Sequence, residues 1–296
     1  MGHVEHLPGT TTEHLDSVKQ GQWQAFLSLT FAPTARGTRL VEKAHRGPLY
    51  IQKPFYPEGL SCPHAYLLHP PGGLVSGDTL SVSVNVREKA QVLITTPGAG
   101  RMYRAREQQA RQRQINEMTV ANDASLEWLP MEAIVFPDAQ VEMSNRIDLT
   151  GSAKVIYWDV LSLGLPAMHQ TFEQGRLNQN LQIVRDGRLV LQERLVLNDS
   201  NRALLDAEIG LRALPIQGVM VAGPFTEIPE ATLEALQERT KAAGFAVGVT
   251  LIAGFVVIRL LNDCSERARQ LFEQCWALLR PALLGREACV PRIWNT

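Results

Sequence analysis

Alternation of apolar and polar residues dominates this chain from Trp23 onward, and a period of two sends side chains to opposite faces of an extended backbone. Trp23, Ala25, Leu27, Leu29 and Phe31 alternate with Gln22, Gln24, Ser28 and Thr30, while Leu80, Val82, Val84 and Val86 alternate with Ser81, Ser83 and Asn85. Both stretches predict half-buried strands. Shorter runs at 38–45, 49–53, 64–68, 92–95, 115–120, 126–129, 133–136, 141–149, 155–163 and 189–197 predict more of them. Turn residues such as Gly47-Pro48 and Pro57-Glu58-Gly59 break the runs, because proline removes a backbone donor and glycine permits positive φ.

The period changes in the last third. Residues 230–243, between Pro229 and Gly244, place Leu233, Leu236 and Thr240 at helical spacing, and 265–284 carry a stripe of Ala268, Leu271, Phe272, Cys275, Leu278 and Leu279. Core packing is the default reading of that stripe. Two strands, 245–252 and 255–261, lie between these helices, the second apolar on both faces and so central in a sheet. The pattern therefore predicts a mainly β single domain over residues 22–296 with two C-terminal α-helices. So many short strands require a sandwich, a barrel or a helical sheet to manage their edges, and periodicity does not choose among these.

Composition narrows the function. The chain has 296 residues, 45% of them hydrophobic, with a net charge of −1, which gives no global field for nucleic acid. A local basic run of Arg101, Arg104, Arg106, Arg111 and Arg113 reads as a solvated loop or a contact for an acidic protein. No run of eighteen apolar residues and no basic-then-apolar leader is present, so neither membrane span nor secretion is expected. Cys62, Cys264, Cys275 and Cys289 are scattered without Cys-x-x-Cys spacing, which suits a reducing cytoplasm. Residues 1–21 lack periodicity and are expected to be a disordered tail whose His3, His6 and His14 match no ligand spacing.

Candidate chemistry gathers in residues 64–104, where Pro70-Pro71-Gly72-Gly73, Gly77-Asp78 and Pro97-Gly98-Ala99-Gly100 punctuate the strands. A dinucleotide loop is excluded, because the third glycine of Gly-x-Gly-x-x-Gly is replaced by Tyr103. No Gly-x-Ser-x-Gly, His-Glu-x-x-His or cysteine–histidine metal box occurs. The polar groups that remain are Cys62, His64, His69, Asp78, Glu132, Asp159, His169 and Glu193. Cys62 and His64 share a parity, opposite to that of His69, and read either as core residues or as metal ligands. Asp78 is an Asx turn or a weak oxygen ligand for a divalent metal in transit. Glu193 shares a strand face with Leu189, Leu191, Leu195 and Leu197, so its carboxylate needs an arginine partner or a ligand.

Five segments, LLHPPGGLVSGDTL, LITTPGAGRMYR, GPLYIQKPFYPEG, LEWLPMEAIVF and PRIW, resemble in their order the urease accessory proteins of the UreD (UreH) type. The resemblance covers residues 22–296, with Ser76 where that family often has glycine and Gly100 where it usually has a small hydroxyl residue. It implies a β-helix-like stack of strands flanked by two helices. It also implies a non-catalytic chaperone that binds apo-urease (subunits of the UreA, UreB and UreC type) together with UreF and the GTPase UreG. Nickel would pass in transit, with no permanently bound cofactor, and Asp78 and Glu193 match acidic positions linked to that path. The competing expectation is an acid–base enzyme using the Asp78 and Glu193 region.

Overall fold

Strand alternation organises the molecule, a computed structural model that describes residues 23–106 and 110–295; the expected tail at 1–21 lies outside the described residues. The first part of the chain forms β1 (Gln24–Thr34), β2 (Gly37–Arg46), β3 (Tyr50–Ile51), β4 (His64–Leu68), β5 (Thr79–Val86), β6 (Gln91–Thr95), β7 (Gly100–Met102) and β8 (Gln112–Val120). The middle adds β9 (Ser125–Trp128), β10 (Ala133–Val135), β11 (Gln140–Leu149), β12 (Lys154–Leu163), β13 (Arg176–Arg185), β14 (Arg188–Leu197) and β15 (Ile216–Gly223). The end is α1 (Glu230–Lys241), β16 (Ala246–Ile252), β17 (Phe255–Asn262) and α2 (Ser265–Leu284).

Two sheets result. One runs β14-β13-β11-β8-β5-β1-β2 and the other β16-β17-β15-β12-β9-β6-β4-β3. From β4 to β13 the chain passes back and forth between them. β5, β8, β11 and β13 pair in parallel in the first sheet, as do β4, β6, β9 and β12 in the second. Each circuit of the chain thus lays one strand on each sheet, which is the expected β-helix-like stack. Neither sheet closes, and hairpins such as β1–β2, β13–β14 and β16–β17 end them antiparallel.

Period-two burial splits the apolar residues into two cores. In β12, Val155, Tyr157, Leu161 and Leu163 face the first sheet, while Ile156, Trp158 and Val160 face the helices. The second core is closed by α2 through Ala268, Leu271, Phe272, Cys275, Trp276 and Leu279. The sequence stripe is therefore core. Trp294, near the end of the chain, packs tilted against Trp158 and edge-to-face against Trp276 at centroid distances of 5.2 and 5.9 Å, and its Nε1 donates to Thr95 Oγ1 at 2.8 Å.

Three strands fall outside the periodicity reading. β7 grows out of the glycine-rich turn by pairing in parallel with β10. β13 hides because one of its inward positions is Gln179, and β15 because Gly218 interrupts an otherwise apolar run. The strand expected at 49–53 shrinks to Tyr50–Ile51, since Pro54 stops the ladder.

Candidate functional site

The register of the sheets lines up side chains that are far apart in sequence. Across the first sheet, Leu27, Val82, Asn116, Asn145, Leu181 and Glu193 form one row facing the second sheet. Across the second, Asp159, Val219 and Arg259 form the row facing back. Polar side chains thus recur along an interior that strand patterning would otherwise fill with apolar ones.

A cavity of about 370 Å³ opens between the sheets where Val82, Asn116 and Asn145 of one row meet Asp159 of the other. Its polar lining includes His69, Glu132, Asn116, Asn145, Tyr157 and Asp159. Asn116 Nδ2 donates to Asn145 Oδ1 at 2.8 Å, and Asn116 Oδ1 is buried without a partner among the described residues. Such an orphan acceptor costs free energy unless a donor, a water or a cation visits it. Asp159 is 6% exposed, and its Oδ2 accepts bonds from Gln179 Nε2 at 2.7 Å and from the Tyr157 hydroxyl at 3.2 Å. Burial pushes the Asp159 carboxyl above the usual range, and these two bonds only partly reverse that. Burial likewise holds the His69 imidazole below its ordinary value, with nearby Asp78 opposing it.

The two glycine-rich turns pack into one rim of this cavity. Leu74 N donates to Arg101 O at 2.8 Å and Tyr103 N to Leu74 O at 3.0 Å. Gly73 is required there, because a Cβ would meet the Tyr103 ring at 2.4 Å and Arg101 O at 2.8 Å. Asp78 anchors the same loop. Its Oδ1 accepts from Trp23 N and its Oδ2 from Val75 N, both at 2.9 Å, so it holds the turn to the start of β1. Ser76 Oγ accepts from Arg106 N at 2.6 Å and ties in the basic segment.

Glu193 lies at the other end of the inward row and is bonded bidentately by Arg259, with Nε at 3.0 Å from Oε2 and Nη2 on Oε1. The pair bridges the two sheets with side chains 25% and 40% exposed. Arg259 is raised above its usual value, chiefly by the Glu193 hydrogen bond. Only three of the four leucines share its face. A bulge opposite Ile183 and Val184 turns Leu189 out to solvent. Asp78 and Glu193 are thus not neighbours, and each already has partners.

Cys62 and His64 belong to the other face of the second sheet. Arg280 of α2 is wholly buried there between two carboxylates, with Nη1 at 2.7 Å from Glu58 Oε2 and Nη2 at 2.9 Å from Glu127 Oε1. Trp276 Nε1 donates to Glu127 Oε2 at 2.6 Å, and His64 Nε2 lies 2.6 Å from Glu58 Oε1. Burial would raise the Glu58 carboxyl, but His64 and Arg280 outweigh it and hold it at about 2. Burial, followed by Glu127 and Glu58, pushes the Cys62 thiol up to about 12. His69, on the cavity side, does not join this cluster.

Sequence reasoning passed over Arg280, Glu127, Glu58, Asn116, Asn145 and Gln179. Arg280 follows Leu279 on the apolar stripe of α2, one turn beyond Trp276, and that position alone could have marked it as buried and in need of acids. Glu132 meets Ser265 Oγ at 3.5 Å near the start of α2, and His169 is an exposed residue in a left-handed conformation after a short 3-10 turn.

Among the described residues no helix is long and apolar enough to cross a membrane. Residues 24–295 match the model of the UreD urease accessory protein family. The chain is 46% identical to "Urease accessory protein UreD" of Marinomonas sp. (strain MWYL1), covering 99% of this chain and 96% of that one. It is 40% identical to the protein of the same name from Dechloromonas aromatica, over 99% and 100% of the two chains. For the namesake in Alcanivorax borkumensis the figures are 41% identity over 93% and 92%.

Proposed function

Since this chain belongs to the UreD urease accessory protein family, we propose that it serves urease maturation as a non-catalytic chaperone whose interior gives nickel a polar path toward the apo-enzyme. It acts in a cytoplasmic complex with UreF, UreG and the urease apoprotein. The observation that carries the path is the run of polar groups lining the cavity between the sheets, His69, Glu132, Asn116, Asn145 and Asp159, with Glu193 farther along the same row beyond Leu181. Oxygen and imidazole donors of this kind bind a borderline divalent ion weakly enough to release it, whereas thiolates would hold it. Asp78 supports the path indirectly, by fixing the rim and acting electrostatically on His69.

The acid–base alternative gains nothing from the geometry. Both Asp78 oxygens accept backbone amides, and Glu193 is bound to an arginine, so neither carboxylate is free to take a proton from a substrate.

Asp159→Asn removes a charge at constant volume, and Asn145→Leu replaces an amide on the path with an alkyl group. Both variants should assemble with urease, UreF and UreG in normal yield while nickel per urease active site falls. Wild-type nickel content in both, with assembly intact, would refute the path; loss of assembly in both would turn the cavity residues into structural ones.

A further inference from the structure

We propose that Glu58, His64 and Cys289 form a binding site for one borderline divalent transition-metal ion on the helix-covered face of the second sheet, separate from the interior cavity. Three segments converge there: the loop before β4, the first residue of β4, and the chain that follows α2. A carboxylate oxygen, a ring nitrogen and the thiol sulfur all lie within 4.8 Å of one another. Oxygen, imidazole and thiolate donors together suit Zn²⁺, Co²⁺ or Ni²⁺ and not Mg²⁺ or Ca²⁺, which prefer oxygen alone.

Two observations besides this clustering point to a ligand. His64 is 0% exposed and turns its Nε2 to Glu58 Oε1 at 2.6 Å, which places that ring nitrogen beside the carboxylate inside the core. Glu58 Oε1 meets both His64 Nε2 and Arg280 Nη2, whereas Oε2 meets only Arg280 Nη1 and keeps a lone pair to offer. Glu58 and Glu127 bring two carboxylates to one guanidinium. Two carboxylates against one guanidinium leave room for a further cation in this low-dielectric setting. A divalent cation, with Cys289 giving up its proton to solvent and binding as thiolate, leaves the group electrically balanced.

The placement also supplies access. Cys289 is only partly buried and lies in the strand-free segment between α2 and the Trp294 anchor, so an ion can enter from that side. Occupancy would fasten this segment to β4. Because the cluster faces the second core, on the opposite side of the sheet from the cavity, it stands whether or not nickel crosses the interior.

Cobalt(II) titrated into the purified full chain tests the site, since only a thiolate ligand gives sulfur-to-cobalt charge-transfer absorption. The tail histidines and the interior carboxylates carry no sulfur and cannot mimic it. One equivalent should produce the band, with Zn²⁺ and Ni²⁺ displacing it. Cys289→Ser should abolish the band and weaken binding by at least the roughly 10- to 100-fold that loss of a mere outer-shell partner costs, while Cys264→Ser should leave both unchanged. No band at saturating cobalt overturns the proposal, as does a band that survives in Cys289→Ser; one lost only in Cys62→Ser assigns the sulfur elsewhere and overturns it equally.

Discussion

Glu58 shows how one residue can be worth more to the fold than its place in a turn suggests. Its carboxyl titrates at about 2 in the folded chain against 4.5 when free, so it contributes stability fully above pH 4.5. That contribution disappears as pH falls from 4.5 toward 2. The gap corresponds to something on the order of 3 kcal/mol, since each unit is about 1.4 kcal/mol. Urea unfolding at stepped pH should therefore show wild-type stability dropping through this window, and a flatter profile for Glu58→Gln, which starts lower because Arg280 has lost a partner. Asp159 has the opposite sign. Its raised carboxyl favours the protonated form, so its contribution declines as pH rises above 3.8. Glu193 is a weaker case than leucine neighbours imply. Its pair with Arg259 keeps appreciable solvent contact, so Glu193→Ala should cost about 1 kcal/mol by urea unfolding instead of the 3–5 typical of a sealed pair.

Among the elements, α2 depends on a feature of β15 that no side chain supplies. A Cβ at Gly218 would meet the Phe272 ring at 2.9 Å and Leu260 at 3.0 Å, so the bare backbone is what lets the helix sit on the sheet. Gly218→Ala should destabilise by about 1–3 kcal/mol through overpacking. Gly248, on edge strand β16, faces open space, and its alanine variant should stay within about 0.5 kcal/mol of wild type in the same unfolding assay. Legibility followed the same logic. Strands with clean alternation, such as β5 and β11, and the stripe of α2 could be read directly, because burial on one face leaves a period in the sequence. β15 could not, being buried on both faces and broken by the very glycine that α2 needs. The cavity was hidden for a related reason: Asn116 and Asn145 look like outward polar positions until register places them in one interior row, with Gln179 inward in the row of Met143 beside it. Glu193 stood out only because its neighbours on β14 were leucines.

At the scale of the molecule, the two cores divide the work, one enclosing the polar row and the other clamping α2 and the chain end. That leaves α1 with little to hold it. It buries only Leu236 and Thr240 of its twelve residues, packing on α2 and β16 at the periphery. An element with so few buried contacts opens at low free-energy cost and exchanges its amides sooner than the sheet beneath. It also displays a charged outer face, with Glu234, Glu238, Arg239 and Lys241 in solvent. A helix retained without contributing much core is suited to contact another protein, and the proposed partner for this surface is UreF. Hydrogen exchange on the isolated chain should then show fast exchange over 230–241 and slow exchange over β12. In the complex with UreF, α1 and the outer face of α2 should gain protection, since a bound partner lowers the population of open states by mass action. β12, already sealed on both faces, should change little. Protection that appears instead along the β2 or β14 edges, with α1 unchanged, would move the docking surface to the sheet edges and leave the helices as scaffold.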